Sequence, residues 1–310
     1  MIVDCPESDE ENHRGLEWVG RLAGRTLQRL EIFHVQVSKH GTPFPPTCSL
    51  PHLISLALGR GTCIWASVIL PTTSSRLKSF SLQNVQASYA VRISEMLEAL
   101  RSAPGLEQLR VDEVEWTPSD AKEDIPPPVN LPNLVSLSLT AVGDIFGFIQ
   151  PLQMPRLTEL VVGDILDDLG PVFTEFAQKT STIQRLTTGF WEEEYMAQSE
   201  NGFITLLEKQ TTLRSLAVGQ ASIDRILVQH LMKSADGSDD WLCPELVSLE
   251  LPIRLVSPEA VRAMVESRSA AGMQLDSLTL VGKVESCWDR EGLSQHVGRL
   301  KIEEVEEVGQ

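Results

Sequence analysis

The chain has 310 residues, a formal net charge of -17 and a sequence pI near 4.8. Such a balance argues against nucleic acid or an anionic membrane as partner, because both need clustered Lys and Arg, and no apolar run approaches the roughly 18 residues that span a bilayer. The acidic start (Asp4, Glu7, Asp9, Glu10, Glu11) opposes a signal-peptide reading, and five scattered cysteines (Cys5, Cys48, Cys63, Cys243, Cys287) make no disulfide framework, so a cytoplasmic or nuclear setting is expected.

Residues 1–15 read as an acidic, disordered N-terminus, with an acidic-directed phosphorylation pattern at Ser8, Asp9, Glu10 and Glu11. Leu16, Val19 and Leu22, with Trp18 beside them, suit a crossover helix. Then a phrase begins that recurs down the chain, Leu-x-x-Leu-x-Leu. Its copies are Leu27-Leu30-Ile32, Leu53-Leu56-Leu58, Leu77-Phe80-Leu82, Leu106-Leu109-Val111, Leu134-Leu137-Leu139 and Leu157-Leu160-Val162. They continue as Ile183-Leu186-Thr188, Leu213-Leu216-Val218, Leu246-Leu249-Leu251, Leu275-Leu278-Leu280 and Val297-Leu300-Ile302. The copies stand about 27 residues apart on average, the spacing of helical leucine-rich repeats.

Within a copy the last two apolar residues alternate at period two, so each copy is a short strand whose intervening residues face the other way. Successive strands lie in parallel, which requires a crossover between them. Several crossovers read as helices. Ile93, Met96, Leu97 and Leu100 share one face before Pro104-Gly105 stops the helix; residues 172–176 after Pro171, 203–207 and 223–232 follow the same pattern. Ser257-Pro258-Glu259 opens the helix at 260–265 with an N-cap and a proline in the first turn.

The loop at 40–49 holds Pro43, Pro45 and Pro46, the loop at 117–128 holds four prolines, and 236–240 is an acidic excursion before Trp241. All three read as insertions, stiffened where proline recurs. His34, His40, Cys48 and His52 match no structural zinc spacing. Glu192, Glu193 and Glu194 between Trp191 and Tyr195 read as a solvated loop. No nucleophile elbow, P-loop, dinucleotide fingerprint or His-Glu-x-x-His occurs, so the chain reads as a non-enzyme without metal or cofactor.

The expected fold is α/β: a leucine-rich-repeat solenoid, a horseshoe with a parallel concave β-sheet and an irregular helical convex side. One domain over 16–302, of about 10–11 repeats, precedes an acidic tail at 303–310. The position eight residues after the first leucine, often Asn or Cys in such repeats, is Val35, Gly61, Val85, Val114, Val142 and Ile165 here. Apolar packing must therefore hold the turns. The residue before the middle leucine is often serine, and alternation places a polar set on the concave face. That set is Ser55, Ala57, Ser79, Ser81, Gln108, Arg110, Ser136, Ser138, Glu159, Ser215, Ser248, Glu250, Ser277 and Thr279, the candidate surface for a protein partner.

Residues 97–111 (Leu-Glu-Ala-Leu-Arg-Ser-Ala-Pro-Gly-Leu-Glu-Gln-Leu-Arg-Val), 131–139 (Leu-Pro-Asn-Leu-Val-Ser-Leu-Ser-Leu), 263–268 (Ala-Met-Val-Glu-Ser-Arg) and 275–280 (Leu-Asp-Ser-Leu-Thr-Leu) resemble repeat units of fungal, basidiomycete-like F-box proteins, whose arrays are ribonuclease-inhibitor-like. The resemblance covers roughly 16–302. It implies substrate recognition for a cullin-RING ubiquitin ligase, with the ligase adaptor docking on a separate F-box. No F-box is detected here. One mean period before Leu27 falls at Met1, so an upstream segment is expected, and an adaptor contact would require an F-box there. A GTPase-activator-like or other regulatory leucine-rich-repeat scaffold, with no ubiquitin role, is the alternative.

Overall fold

The computed structural model describes residues 2–4, 26–33, 50–59, 66–73, 76–85, 91–116, 127–164, 168–189, 196–219, 224–232, 241–252, 256–282 and 290–303. Outside them lie the expected 16–22 helix, the 8–11 run, the 40–49 loop, 117–126, 192–194, 236–240 and the tail after Glu303, as do His34, His40, Cys48, Val35, Gly61 and Ile165. The chain forms two compact units, Met1–Leu157 and Thr158–Gln310. Both are α/β leucine-rich-repeat structure, with one parallel strand per repeat.

In the Met1–Leu157 unit the ladder runs β1 (Ile2–Asp4), β2 (Arg29–Phe33), β3 (Ser55–Gly59), β4 (Ser79–Val85), β5 (Gln108–Val114) and β7 (Ser136–Val142), each parallel to the next. Ile2–Asp4, within the 1–15 stretch, pairs with Glu31, Ile32 and Phe33. A separate two-stranded pair, β6 (Val129–Asn130) with β8 (Leu152–Gln153), was not foreseen. The crossovers hold helices α1 (Ala66–Thr72), α2 (Ile93–Arg101) and α3 (Ile145–Ile149).

Register stacks like on like. Leu56 pairs with Phe80, Phe80 with Leu109 and Leu109 with Leu137, all buried. The repeats share one way of starting a strand. The first leucine's N–H donates to the carbonyl three residues earlier, as in Leu53 to Leu50 (3.1 Å), Leu106 to Ala103 (3.1 Å) and Leu134 to Leu131 (3.1 Å). The next two N–H groups then share one carbonyl of the preceding strand: Lys78 and Ser79 both donate to Ile54 (2.8 and 3.0 Å). Each orphan donor at the turn is thereby satisfied.

The strands end alike as well. Asn84, Glu113 and Ala141 have φ of 55°, 52° and 50°, in the left-handed region. One such residue breaks strict alternation, so that Leu82 and then Val85, three residues on, both face the core. Val85, Val114 and Val142 are accordingly buried, and the turns are held by valine where a polar ladder would otherwise sit. Trp116, following β5, stacks on Phe148 of α3 at 5.2 Å between ring centroids.

The Thr158–Gln310 unit repeats the plan with β9 (Glu159–Gly163), β10 (Arg185–Thr188), β11 (Ser215–Val218), β12 (Ser248–Pro252), β13 (Leu275–Val281) and β14 (Val297–Glu303). Its helices are α4 (Gly170–Lys179), α5 (Met196–Lys209), α6 (Asp224–Leu231), α7 (Pro258–Ala270) and α8 (Arg290–Ser294). Ser257 caps α7 as its sequence requires, its Oγ accepting from the Ala260 N–H at 3.1 Å. α4 and α5 pack closely, with Phe173 and Phe203 edge to face at 5.3 Å and Gly202 set directly against the Gly170 backbone, where a Cβ has no room.

Among the buried polar side chains of this unit, Gln210, Arg268 and Thr188 are buried for different reasons. Gln210 links two repeats: its Oε1 accepts from the Ile183 N–H (3.0 Å) and its Nε2 donates to the Thr180 carbonyl (2.6 Å). It thus stands in for the turn bond that Leu53, Leu106, Leu134, Leu157, Leu213 and Leu246 make. Arg268, on the core face of α7, donates to the carbonyls of Leu242 (3.2 Å) and Cys243 (2.9 Å), leaving Nε without a partner. Burial holds its guanidinium below the usual value and pushes the adjacent Cys243 thiol up to about 12, against the opposing pull of the Arg268 charge. Thr188 takes the third apolar place of its repeat, and its buried hydroxyl has no hydrogen-bond partner.

Candidate functional site

Alternation gives each unit a polar sheet face opposite the helices, and every expected surface residue lies on it, partly or fully exposed. The two units carry separate sets. In Met1–Leu157 the eight residues Ser55, Ala57, Ser79, Ser81, Gln108, Arg110, Ser136 and Ser138 line one groove of about 540 Å³. In Thr158–Gln310, Glu159, Ser215, Ser248, Glu250, Ser277 and Thr279 occupy the equivalent face. There Ser277 Oγ bonds Ser248 Oγ at 2.9 Å and Arg185 pairs with Glu159 at 3.3 Å.

Strand register builds the groove. Ser55 lies beside Ser79, Ala57 beside Ser81 and Gly59 beside Gln83, so β3 and β4 form a floor of small side chains. On one side β2 places Arg29 against Ser55 and Glu31 against Ala57; on the other β5 places Gln108 against Ser79 and Arg110 against Ser81. These longer side chains form walls on either side of the β3–β4 floor, and beyond the β5 wall the groove runs on over Ser136 and Ser138 of β7. Adjacent strands lie about 4.8 Å apart, so the walls stand about 14 Å from each other across three intervals.

The walls are held by their own ion pairs. Arg29 Nη2 meets Glu31 Oε1 at 2.5 Å, and Arg110 Nη2 meets Asp112 Oδ2 at 2.8 Å. Each pair links residues two apart on a single strand, which fixes the guanidinium along that strand. Gln83 Nε2 donates to Ser81 Oγ at 2.9 Å. At the entrance to the strands Lys78 pairs with Glu107 at 2.7 Å, and Ile54 beside it is 40% exposed, the most exposed large apolar side chain among the described residues.

Sequence reasoning missed Arg29, Glu31, Gln83 and Asp112 as parts of this site. The signal was present, since each occupies an outward position of its copy. Serine recurrence drew attention to the floor, whereas walls become visible only when two strands flank it. Leu300 and Ile302 of β14 depart differently. They face the core side but are only half-buried, beside a hollow of about 340 Å³ lined with Arg290, Glu291 and Ser294. β14 is hydrogen-bonded to β13 on one edge, and no described strand lies on the other.

The groove's titratable groups are guanidiniums and carboxylates in mutual pairs, with no base beside a nucleophile. No cluster of three or more His, Cys, Asp or Glu occurs among the described residues. His52 Nδ1 contacts Arg76 Nη1 at 3.0 Å. No described helix is long and apolar enough to cross a membrane.

No protein-family profile matches the chain, and no curated protein matches it. Among solved structures it is similar to a Bacteroides fragilis protein from a structural genomics consortium, with a TM-score of 0.46 and 16% identity over 82% of this chain. It is also similar to the TLR13 chain of a TLR13–ssRNA13 complex, with a TM-score of 0.45 and 17% identity over 82% of this chain. The chain spans 66% of the first protein and 32% of the second.

Proposed function

We propose that the chain is a non-catalytic protein-interaction module whose partner seats on the polar sheet face of the Met1–Leu157 unit. The groove carries this reading. It is a walled trough with a floor of small, largely hydroxylated residues and walls pre-set by ion pairs. A surface whose charged side chains are already ordered loses less conformational entropy when a partner arrives. The repeat architecture supports it, since solenoids present extended surfaces on rigid ladders.

The narrower reading is substrate recognition for a cullin-RING ubiquitin ligase. It rests on the resemblance of residues 97–111, 131–139, 263–268 and 275–280 to F-box-protein repeats. Affinity purification tests both levels. Ser81→Trp fills the groove floor, while Glu95→Trp on the exposed side of α2 serves as control. A partner lost with Ser81→Trp and kept with Glu95→Trp supports the module reading; equal recovery with both removes it. Co-recovery of cullin and its adaptor supports the ligase role, and their absence beside a groove-dependent partner argues for a scaffold of another kind.

A further inference from the structure

We draw no further inference here: the strongest candidate, the half-buried pair Leu300 and Ile302 on β14 beside the hollow lined with Arg290, Glu291 and Ser294, is an apolar core-side face, and nothing in the structure shows what covers it.

Discussion

Replacing Thr188 by valine should stabilise the protein, an unusual direction for a change at a buried site. Thr188 lies in β10 with its side chain in the core, level with Val162 of β9 on one side and Val218 of β11 on the other. Valine has nearly the same shape as threonine and places a methyl where the hydroxyl stands, so no cavity or overlap arises. What changes is a buried Oγ1 with no partner. An unsatisfied buried hydroxyl costs about 1–3 kcal/mol, and the added methyl gains a little by burial. Allowing for some relief in the unfolded chain, the expected gain is about 1.5 kcal/mol, or roughly 3–6 °C in the melting of a unit of this size. Urea unfolding followed by circular dichroism reads it as a higher midpoint at unchanged slope. The reciprocal changes Val162→Thr and Val218→Thr should each cost about 1–3 kcal/mol. An unchanged or lower midpoint for Thr188→Val would mean the hydroxyl is satisfied in solution and would refute the reasoning.

Leu137→Ala in β7 removes a fully buried side chain flanked by Leu109 and should cost about 2–5 kcal/mol. Native-state hydrogen exchange should show the loss concentrated in the Met1–Leu157 unit, and uniform loss through both units would count against repeat-wise packing. Ala141→Gly should stabilise by about 0.5–1 kcal/mol, because φ of 50° strains an alanine and not a glycine; denaturant titration checks the sign. For the Cys243 thiol, raised to about 12 by burial, the sign runs toward alkaline loss. Below pH 9 both states hold the proton; between there and about 12 only the unfolded chain releases it, so stability falls by up to about 1.4 kcal/mol per pH unit. Cys243→Ala should flatten that part of the stability–pH curve, and an unaltered curve would show that the thiol is not responsible.

The strands were legible because Leu-x-x-Leu-x-Leu encodes both the alternation and the repeat length. Thr188 was legible too, as a place where the phrase breaks. The left-handed residues were not, since Asn84, Glu113 and Ala141 share no chemistry; what they share is a backbone position that the next valine needs. Arg268 shows a signal that went unread. Val261, Met264, Val265 and Arg268 follow helical spacing and are all buried, so the period had already placed the arginine on the core face. Its carbonyl partners, Leu242 and Cys243, come from a turn some 25 residues earlier and are beyond local reasoning. The same limit applies to the groove. Serine recurrence gave the floor from a pattern within each repeat, whereas Arg29 and Arg110 become opposite walls only once β2 and β5 flank β3 and β4 in the ladder.

Site-specific photo-crosslinking tests most directly whether the polar face of the Met1–Leu157 unit is where a protein partner sits. A benzophenone side chain placed at Ser81 on the groove floor, and in a second protein at Glu95 on α2, can be activated in the cells that make the chain. The account predicts a discrete crosslinked protein from Ser81 and none from Glu95. Crosslinking of the same protein from Glu95 and not from Ser81 would put the partner on the helical side and contradict it.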